Sequence, residues 1–229
     1  MKYVVSFCLI IYIMTTSLVA DLTYVKSAQI IESKQFFIGI IHRFYGDYAT
    51  TQSLGMKEGA NFAMDGVLSL SPNRNLLLNY NNQNSEFSAG IKQTLFTFKD
   101  VSNSFQVDYF MYDSSESVSG FLFNYFLEYS KKDLKFVPIF NLYYDNYIEK
   151  SSIALGFNYK YSYNLSFHYE YIQSTQTVTE NDSNVFGLTY STFGHNFTLT
   201  LQDSVETGLH AVKNGVAAAD GKMYLGFKI

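Results

Sequence analysis

The sequence predicts an all-β fold: a closed antiparallel transmembrane β-barrel of about twelve strands, with ten or fourteen as the neighbouring solutions. Three observations lead there. Apolar residues recur at every second position in segment after segment, which is the period of a β-strand. Most of these segments run to about 8–13 residues, longer than is usual for soluble strands and suited to a tilted strand crossing a bilayer, which needs ~9–11. The connections also alternate. Those after even-numbered strands are short and rich in turn formers, while those after odd-numbered strands include the long ones, a layout that puts both termini on the short-turn side of a barrel.

Composition sets the frame. Of 229 residues, 47% are apolar, 18% aromatic and only 16% charged, whereas a soluble domain usually carries about 25% charge. The chain is too apolar for a disordered polymer. A formal net charge of −4 without a basic cluster excludes a general nucleic-acid binder. Residues 1–20 have the layout of a secretory signal peptide: Lys2, an apolar stretch from Val4 to Met14, and small residues up to Ala20 before Asp21. The apolar stretch is too short to span a bilayer as a helix. Cys8, the only cysteine, lies inside it, so a chain starting at Asp21 has no disulfide, zinc-thiolate site or cysteine nucleophile. Beyond residue 20 the longest apolar run is the six residues Phe36 to Ile41. A membrane-crossing chain of this kind has to be a closed barrel, the other structure that satisfies every backbone group in lipid. The expected organisation is a signal peptide over 1–20, a periplasmic N-terminal tail over 21–34 and a barrel over 35–229.

The strands are expected at about 35–46, 59–70, 75–82, 86–98, 104–113, 119–130, 135–147, 151–162, 165–173, 183–192, 196–203 and 221–229. In the second, Phe62, Met64, Gly66, Leu68 and Leu70 share one face, opposite Asn61, Ala63, Asp65 and Ser69. In the fourth, Gln93 interrupts the outward face, and a bulge at Gln93–Thr94 returns Phe96 and Phe98 to lipid. In the fifth, Phe105, Val107, Tyr109 and Met111 oppose Gln106 and Asp108. The sixth sets Phe121, Phe123, Tyr125, Leu127 and Tyr129 against Asn124 and Glu128. In the seventh, Pro138 cannot donate to a ladder, so a bulge near the Lys131–Leu134 turn is expected to absorb it. The eighth and ninth carry Ile153–Tyr161 and Leu165–Tyr171 in strict alternation, and Phe186, Leu188 and Tyr190, then Phe197, Leu199 and Leu201, continue the series. In the last strand Met223, Leu225, Phe227 and Ile229 alternate to the final residue. That resembles the terminal strand which outer-membrane proteins present to the barrel-assembly machinery, although an aromatic final residue is usual there. Charges agree with lipid outside: Arg43, Asp65, Lys92, Asp108, Glu128, Asp145, Lys160, Glu170 and Lys228 all fall opposite the aromatic stripe, where a charge facing lipid would cost about 2–4 kcal/mol for Arg or Lys. A secreted β-sandwich also alternates, but it requires neither alternating loop lengths nor so many outward Phe and Tyr.

The segment Phe37 to Gly46, ending in His42-Arg43-Phe44 and, after Tyr45, Gly46, is followed by Leu54-Gly55 and Gly59-Ala60-Asn61. Over about residues 35–96 this resembles a bacterial family described only as a membrane-bound β-barrel domain of unknown function. The resemblance implies a barrel and supplies no activity.

For function, the sequence offers candidates of three classes. The first is a small channel or substrate-specific porin for small polar solutes, its lumen lined by Arg43, Asp65, Lys92, Asp108, Glu128, Lys160, His168 and Glu170. If these charges neutralise one another the barrel is closed, which gives the second class, a structural or partner-docking barrel with a plugged lumen. The third is a lipid-active hydrolase. Ser166, His168 and Glu170 lie at every second position of one strand, about 7 Å apart, too far for a triad among themselves. His42 and Arg43, near the outer rim, fit a contact with lipopolysaccharide phosphate, a folding motif, or a lumen salt bridge from Arg43 to Asp65. His195 and His210 lack metal-ligand spacing, so no metal or cofactor is expected. The small apolar run Gly215–Ala219 makes the 203–220 loop a candidate plug or, equally, an extracellular loop. The location implied is the outer membrane of a Gram-negative bacterium, with lipid and lipopolysaccharide as surroundings and no oligomeric state specified.

Overall fold

The computed structural model describes residues 22–31, 33, 35–49, 52–82, 85–112, 118–131, 133–173, 182–204 and 221–229. The expected signal peptide and most of the 203–220 loop lie outside these residues. Twelve antiparallel strands close into one barrel, each paired with its neighbours in sequence and the last with the first. They are β1 (Phe36–Asp47), β2 (Ala60–Ser71), β3 (Arg74–Asn81), β4 (Glu86–Phe98), β5 (Val101–Tyr112), β6 (Val118–Tyr129), β7 (Phe136–Asp145), β8 (Lys150–Lys160), β9 (Leu165–Ile172), β10 (Ser183–Thr192), β11 (His195–Gln202) and β12 (Tyr224–Lys228). Each alternates because one face meets the barrel interior and the other the surroundings, so the count and nearly every boundary match the periodicity. The last strand is shorter than 221–229, yet Ile229 still closes the barrel: Ile40 and Ile229 exchange both backbone hydrogen bonds, at 2.8 and 2.9 Å.

Two irregularities differ in place from those expected. In β4 the register against β5 shifts between Thr94 and Phe96, two residues beyond Gln93. The extra residue is therefore Leu95, and Leu95, Phe96 and Phe98 all end up exposed on the outside. Pro138 needs no bulge. The β6–β7 ladder ends at Glu128 opposite Ile139, so Pro138 lies just past the last pair, where β6 asks nothing of its missing N–H, and it pairs with Phe157 of β8 in unbroken register.

The outer surface is a band of exposed Phe, Tyr, Leu, Ile and Met from every wall of the barrel, Ile38 on β1, Leu78 on β3, Phe121 on β6, Leu155 on β8 and Leu199 on β11 among them. Residues of the opposite parity turn inward, and they differ around the circumference. From β2 to β6 most of the buried inward groups are polar, Asn61, Asn75, Asn81, Gln106, Asp108 and Asn124 among them, beside Ala63, Phe110 and Leu122. From β6 to β10 many are apolar, with Phe126, Val137, Ile139, Tyr143, Ala154, Ile172 and Val185 forming one buried cluster. An apolar inner wall needs a cover, and residues from the N-terminal segment supply it: Leu22, Tyr24, Val25 and Ala28 complete the same cluster. Residues 22–31, expected as a tail outside the barrel, thus run through its lumen.

At the end of β1 the short 3-10 segment Gln52–Glu58 has left-handed backbone at Ser53, Leu54 and Gly55. A Cβ on Gly55, at φ +80°, would collide with the Gly46 carbonyl. The Tyr45 N–H donates to Gly59 O at 3.0 Å, and its hydroxyl donates to Asn61 at 2.6 Å. Gly46, Gly55, Gly59 and Asn61 therefore meet around one loop closure, with Tyr45 bonded to the last two.

Candidate functional site: a lumen filled by the N-terminal segment

The wall addresses the N-terminal segment chiefly through its main chain. Glu170 of β9, fully buried, accepts three successive amides: Thr23 N–H, Tyr24 N–H and Val25 N–H, each at 2.7 Å. Successive N–H groups converging on one anion form the concave cradle known at phosphate sites, here closed over a protein carboxylate. Asn141 of β7 reads the next residue on both sides, accepting from Lys26 N–H at 2.8 Å and donating to Lys26 O at 2.9 Å. Glu128 of β6 accepts from the Ser27 hydroxyl, from Ala28 N–H at 3.2 Å and from the Gln29 amide at 2.6 Å. Lys92 of β4 donates to Ser27 O and, at 2.8 Å, to Gln29 O. Lys228 of β12 donates to Leu22 O at 3.3 Å, and the Tyr143 hydroxyl to Tyr24 O at 3.3 Å.

Tyr24 is the side-chain anchor. Its hydroxyl accepts from Gln202 Nε2 at 3.0 Å and from the Arg43 guanidinium at 3.4 Å. Arg43 also donates to the Thr200 hydroxyl of β11. The segment brings a cation of its own, for Lys26 pairs with Asp65 at 3.7 Å. On the polar side a cavity of about 70 Å³ remains between Lys26, Asp65, Glu86, Asp108 and Lys228, room for a few ordered waters, each of which needs about 10–15 Å³ of such space.

The expected lumen residues can now be placed. Arg43, Lys92, Asp108, Glu128, His168 and Glu170 are buried inside the barrel, and Asp65 faces the segment's Lys26. Lys160 is different: it is exposed at the end of β8, at the short-turn rim. The salt bridge anticipated between Arg43 and Asp65 is not formed, because Asp65 turns to Lys26 and to Asn79. Nor does Arg43 reach the outer surface; with no exposed area it cannot meet a lipopolysaccharide phosphate. Its neighbour His42 does face outward, stacked on Phe227 at 4.6 Å and tilted against Phe62 at 5.3 Å, and Phe44 leans on the same Phe227 ring. Ser166 is not drawn into any pair with His168. Instead Thr23 Oγ1 and Glu170 Oε1 both lie 3.4 Å from the same His168 nitrogen, Nε2. A hydroxyl–imidazole–carboxylate relay uses the two ring nitrogens separately, so these three groups form a hydrogen-bonded lumen network.

The sequence reading missed the segment itself, together with Asn141, Gln202, Tyr143 and Lys228 as its contacts. A signal was present: β6 and β7 are apolar on both faces (Phe121-Leu122-Phe123, Val137 and Ile139 beside Phe136 and Phe140), which a water-filled pore would not require. A second signal is glycine. Arg43, Asp65, Asp108, His168 and Glu170 each stand opposite a glycine on the neighbouring strand, respectively Gly226, Gly39, Gly90, Gly187 and Gly156. Side chains at Gly226, Gly90 and Gly187 would collide with Arg43, Asp108 and His168, which lie flat across them. At Gly156 the space is taken by the segment, with Leu22 and Val25 within 3 Å of where a Cβ would stand.

No protein-family model matches this chain, and no curated protein sequence does. Among solved structures, the outer membrane phospholipase A from Escherichia coli is similar, at 10% identity over 93% of this chain and 96% of that one, with a TM-score of 0.49. It is a distant likeness. No activity passes through it, and the family resemblance of residues 35–96 finds no matching model behind it.

Proposed function

We propose that this chain is an outer-membrane barrel held shut by its own N-terminal segment, a partner-docking or gated barrel and not an open porin. The observation that carries the reading is the set of wall groups spent on the segment's main chain: Glu170, Asn141, Glu128 and Lys92 all bond to peptide groups of residues 23–29. Groups that would otherwise select a solute are engaged in holding a polypeptide. The outward aromatic and aliphatic band supports a membrane setting, since a surface of that kind in water would be an aggregation hazard. Small polar solutes would then pass only after the segment moves. A lipid hydrolase draws nothing from Ser166, His168 and Glu170, which are turned inward and do not form a relay.

The test is planar-bilayer conductance of refolded protein, with heat-dependent gel mobility to establish folding. Native protein should be almost silent. Val25→Pro removes one of the three amides that Glu170 accepts and should give discrete, frequent openings. Steady conductance from folded native protein would refute closure by the segment, and silence from folded Val25→Pro would refute its role as the gate.

A further inference from the structure

Among the described residues, more of the polar contacts between wall and segment go to the segment's main chain than to its side chains. Glu170 takes the N–H groups of residues 23, 24 and 25. Asn141 takes both the N–H and the C=O of residue 26, the pairing a neighbouring β-strand would offer. Lys92 binds the C=O of residues 27 and 29, Lys228 that of residue 22 and Tyr143 that of residue 24. Donors and acceptors are thus laid along the wall to match a main chain that bends over Glu170, with carboxylates meeting N–H groups and ammonium groups meeting C=O. Between Glu170, Asn141 and Tyr143, the same β6–β10 wall offers an apolar face of Phe126, Ile139, Ala154 and Ile172 for apolar side chains, and Gly156 leaves a notch into which Leu22 and Val25 fit. The far end of the segment lies by Gln29, whose amide also reaches Ser130 beyond the end of β6, at the short-turn mouth.

We infer that the lumen is a peptide-binding site that reads main chain, and that residues 22–31 are its resident ligand in cis. Its ligand class is a peptide of about eight to ten residues that bends where three successive N–H groups meet Glu170 and is apolar where it packs on the β6–β10 wall, entering through the short-turn mouth. This rests on the closure proposed above. It goes further, because a gate need only block, whereas a binding site must accept the same chemistry from a separate molecule.

The experiment keeps the wall intact and weakens only the resident ligand. Full-length protein carrying Val25→Pro and Ala28→Pro, verified as folded by gel mobility, is recorded in a bilayer while a synthetic peptide of residues 22–31 is added on the short-turn side. The expected result is restored closure, saturating with peptide concentration. A peptide N-methylated at Tyr24, Val25 and Ala28 keeps every side chain but loses the three donors, and should need at least tenfold more for half-closure. A Lys26→Gln peptide should close nearly as well as the native one. If the variant conducts and the native peptide leaves it open, the peptide site is refuted while the gate stands. If the N-methylated and native peptides act alike, main-chain reading is refuted. If the folded variant never conducts, the closure is wrong and the inference falls with it. Should the double variant fail to fold, a protease site inserted at Ser33 and cut after folding frees the native segment for the same measurements.

Discussion

A carboxylate without exposed surface in the middle of a barrel has to be met by donors, and at Glu170 three peptide N–H groups do so. His168 and Lys228 stand nearby, the first at 3.4 Å from the same carboxylate. Hydrogen bonds to an ionised acceptor contribute about 1.5–3 kcal/mol each, against about 1 for neutral ones. Glu170→Gln keeps the shape but removes the charge and turns an NH₂ group toward peptide donors. Losing even about 1.4 kcal/mol of hold shifts the open-to-closed ratio by about tenfold, so the variant should open at least ten times more often in bilayer recordings, with gel mobility unchanged. An unaltered open probability would mean that Glu170 does not hold the segment. At this scale much was legible. The inward direction of Arg43, Lys92, Asp108, Glu128, His168 and Glu170 follows from parity alone. Their partners did not follow, because a period-2 pattern gives a side chain's face and says nothing about what occupies the space in front of it. Lys160 has the same parity and ends at the rim, since a lumen position near a strand's last residue is a position in the mouth.

The strands read themselves out because each is bound to its neighbours by ladder and to its surroundings by alternation, two constraints that agree. Residues 22–31 obey neither. They form no strand and alternate with nothing, so the segment is invisible to periodicity, and it is β6 and β7, apolar on both faces, and the glycines of the lumen wall that hint at something covering it. The cover depends on Gly156, whose missing side chain makes room for Leu22 and Val25, at 2.8 and 2.9 Å from an added Cβ. Gly156→Val should therefore lift the segment without disturbing the β8–β9 ladder. The measurement is limited proteolysis of refolded protein: native chain should keep residues 22–31, and the variant should lose them while the barrel persists. Gly66→Ala is the control, because its nearest neighbour would be Leu78 at an ordinary 3.8 Å on the outer face, and its segment should stay protected. Equal protection in Gly156→Val would show that the segment does not sit in that notch. The bulge in β4 and the tolerated Pro138 belong to the same scale. Sequence shows that an alternation breaks but not on which residue, because Thr94, Leu95 and Phe96 can each take the extra place, and only pairing with Asn103 and Ser104 of β5 decides.

The barrel as a whole stands on the seam between β1 and β12. β12 is the shortest strand, yet it serves both sides, with Lys228, Phe227 and Gly226 opposite Ile41, His42 and Arg43 on one side and Thr198, Leu199 and Thr200 on the other. Gly226 also lets the Arg43 guanidinium lie across the seam toward Thr200, and from there to Tyr24 of the segment. Closure of the wall and closure of the lumen therefore share residues. Removing Gly226–Ile229 would leave the edges of β1 and β11 unpaired in lipid, where each unsatisfied backbone group costs several kcal/mol. The loss should not be graded, because a barrel with an open seam has no partial form that satisfies its edges. The truncated chain should refold to no heat-modifiable species in detergent or vesicles. Ile229→Ala should behave differently. Ile229 meets Ile40 through backbone N–H and C=O, and an alanine keeps both bonds while giving up only part of an outward side chain, so heat-modifiable folding should persist. Folding of the truncated chain would mean that β1 and β11 pair directly in an eleven-stranded closure. Failure of Ile229→Ala would shift the weight of the seam from backbone pairing to the terminal side chain.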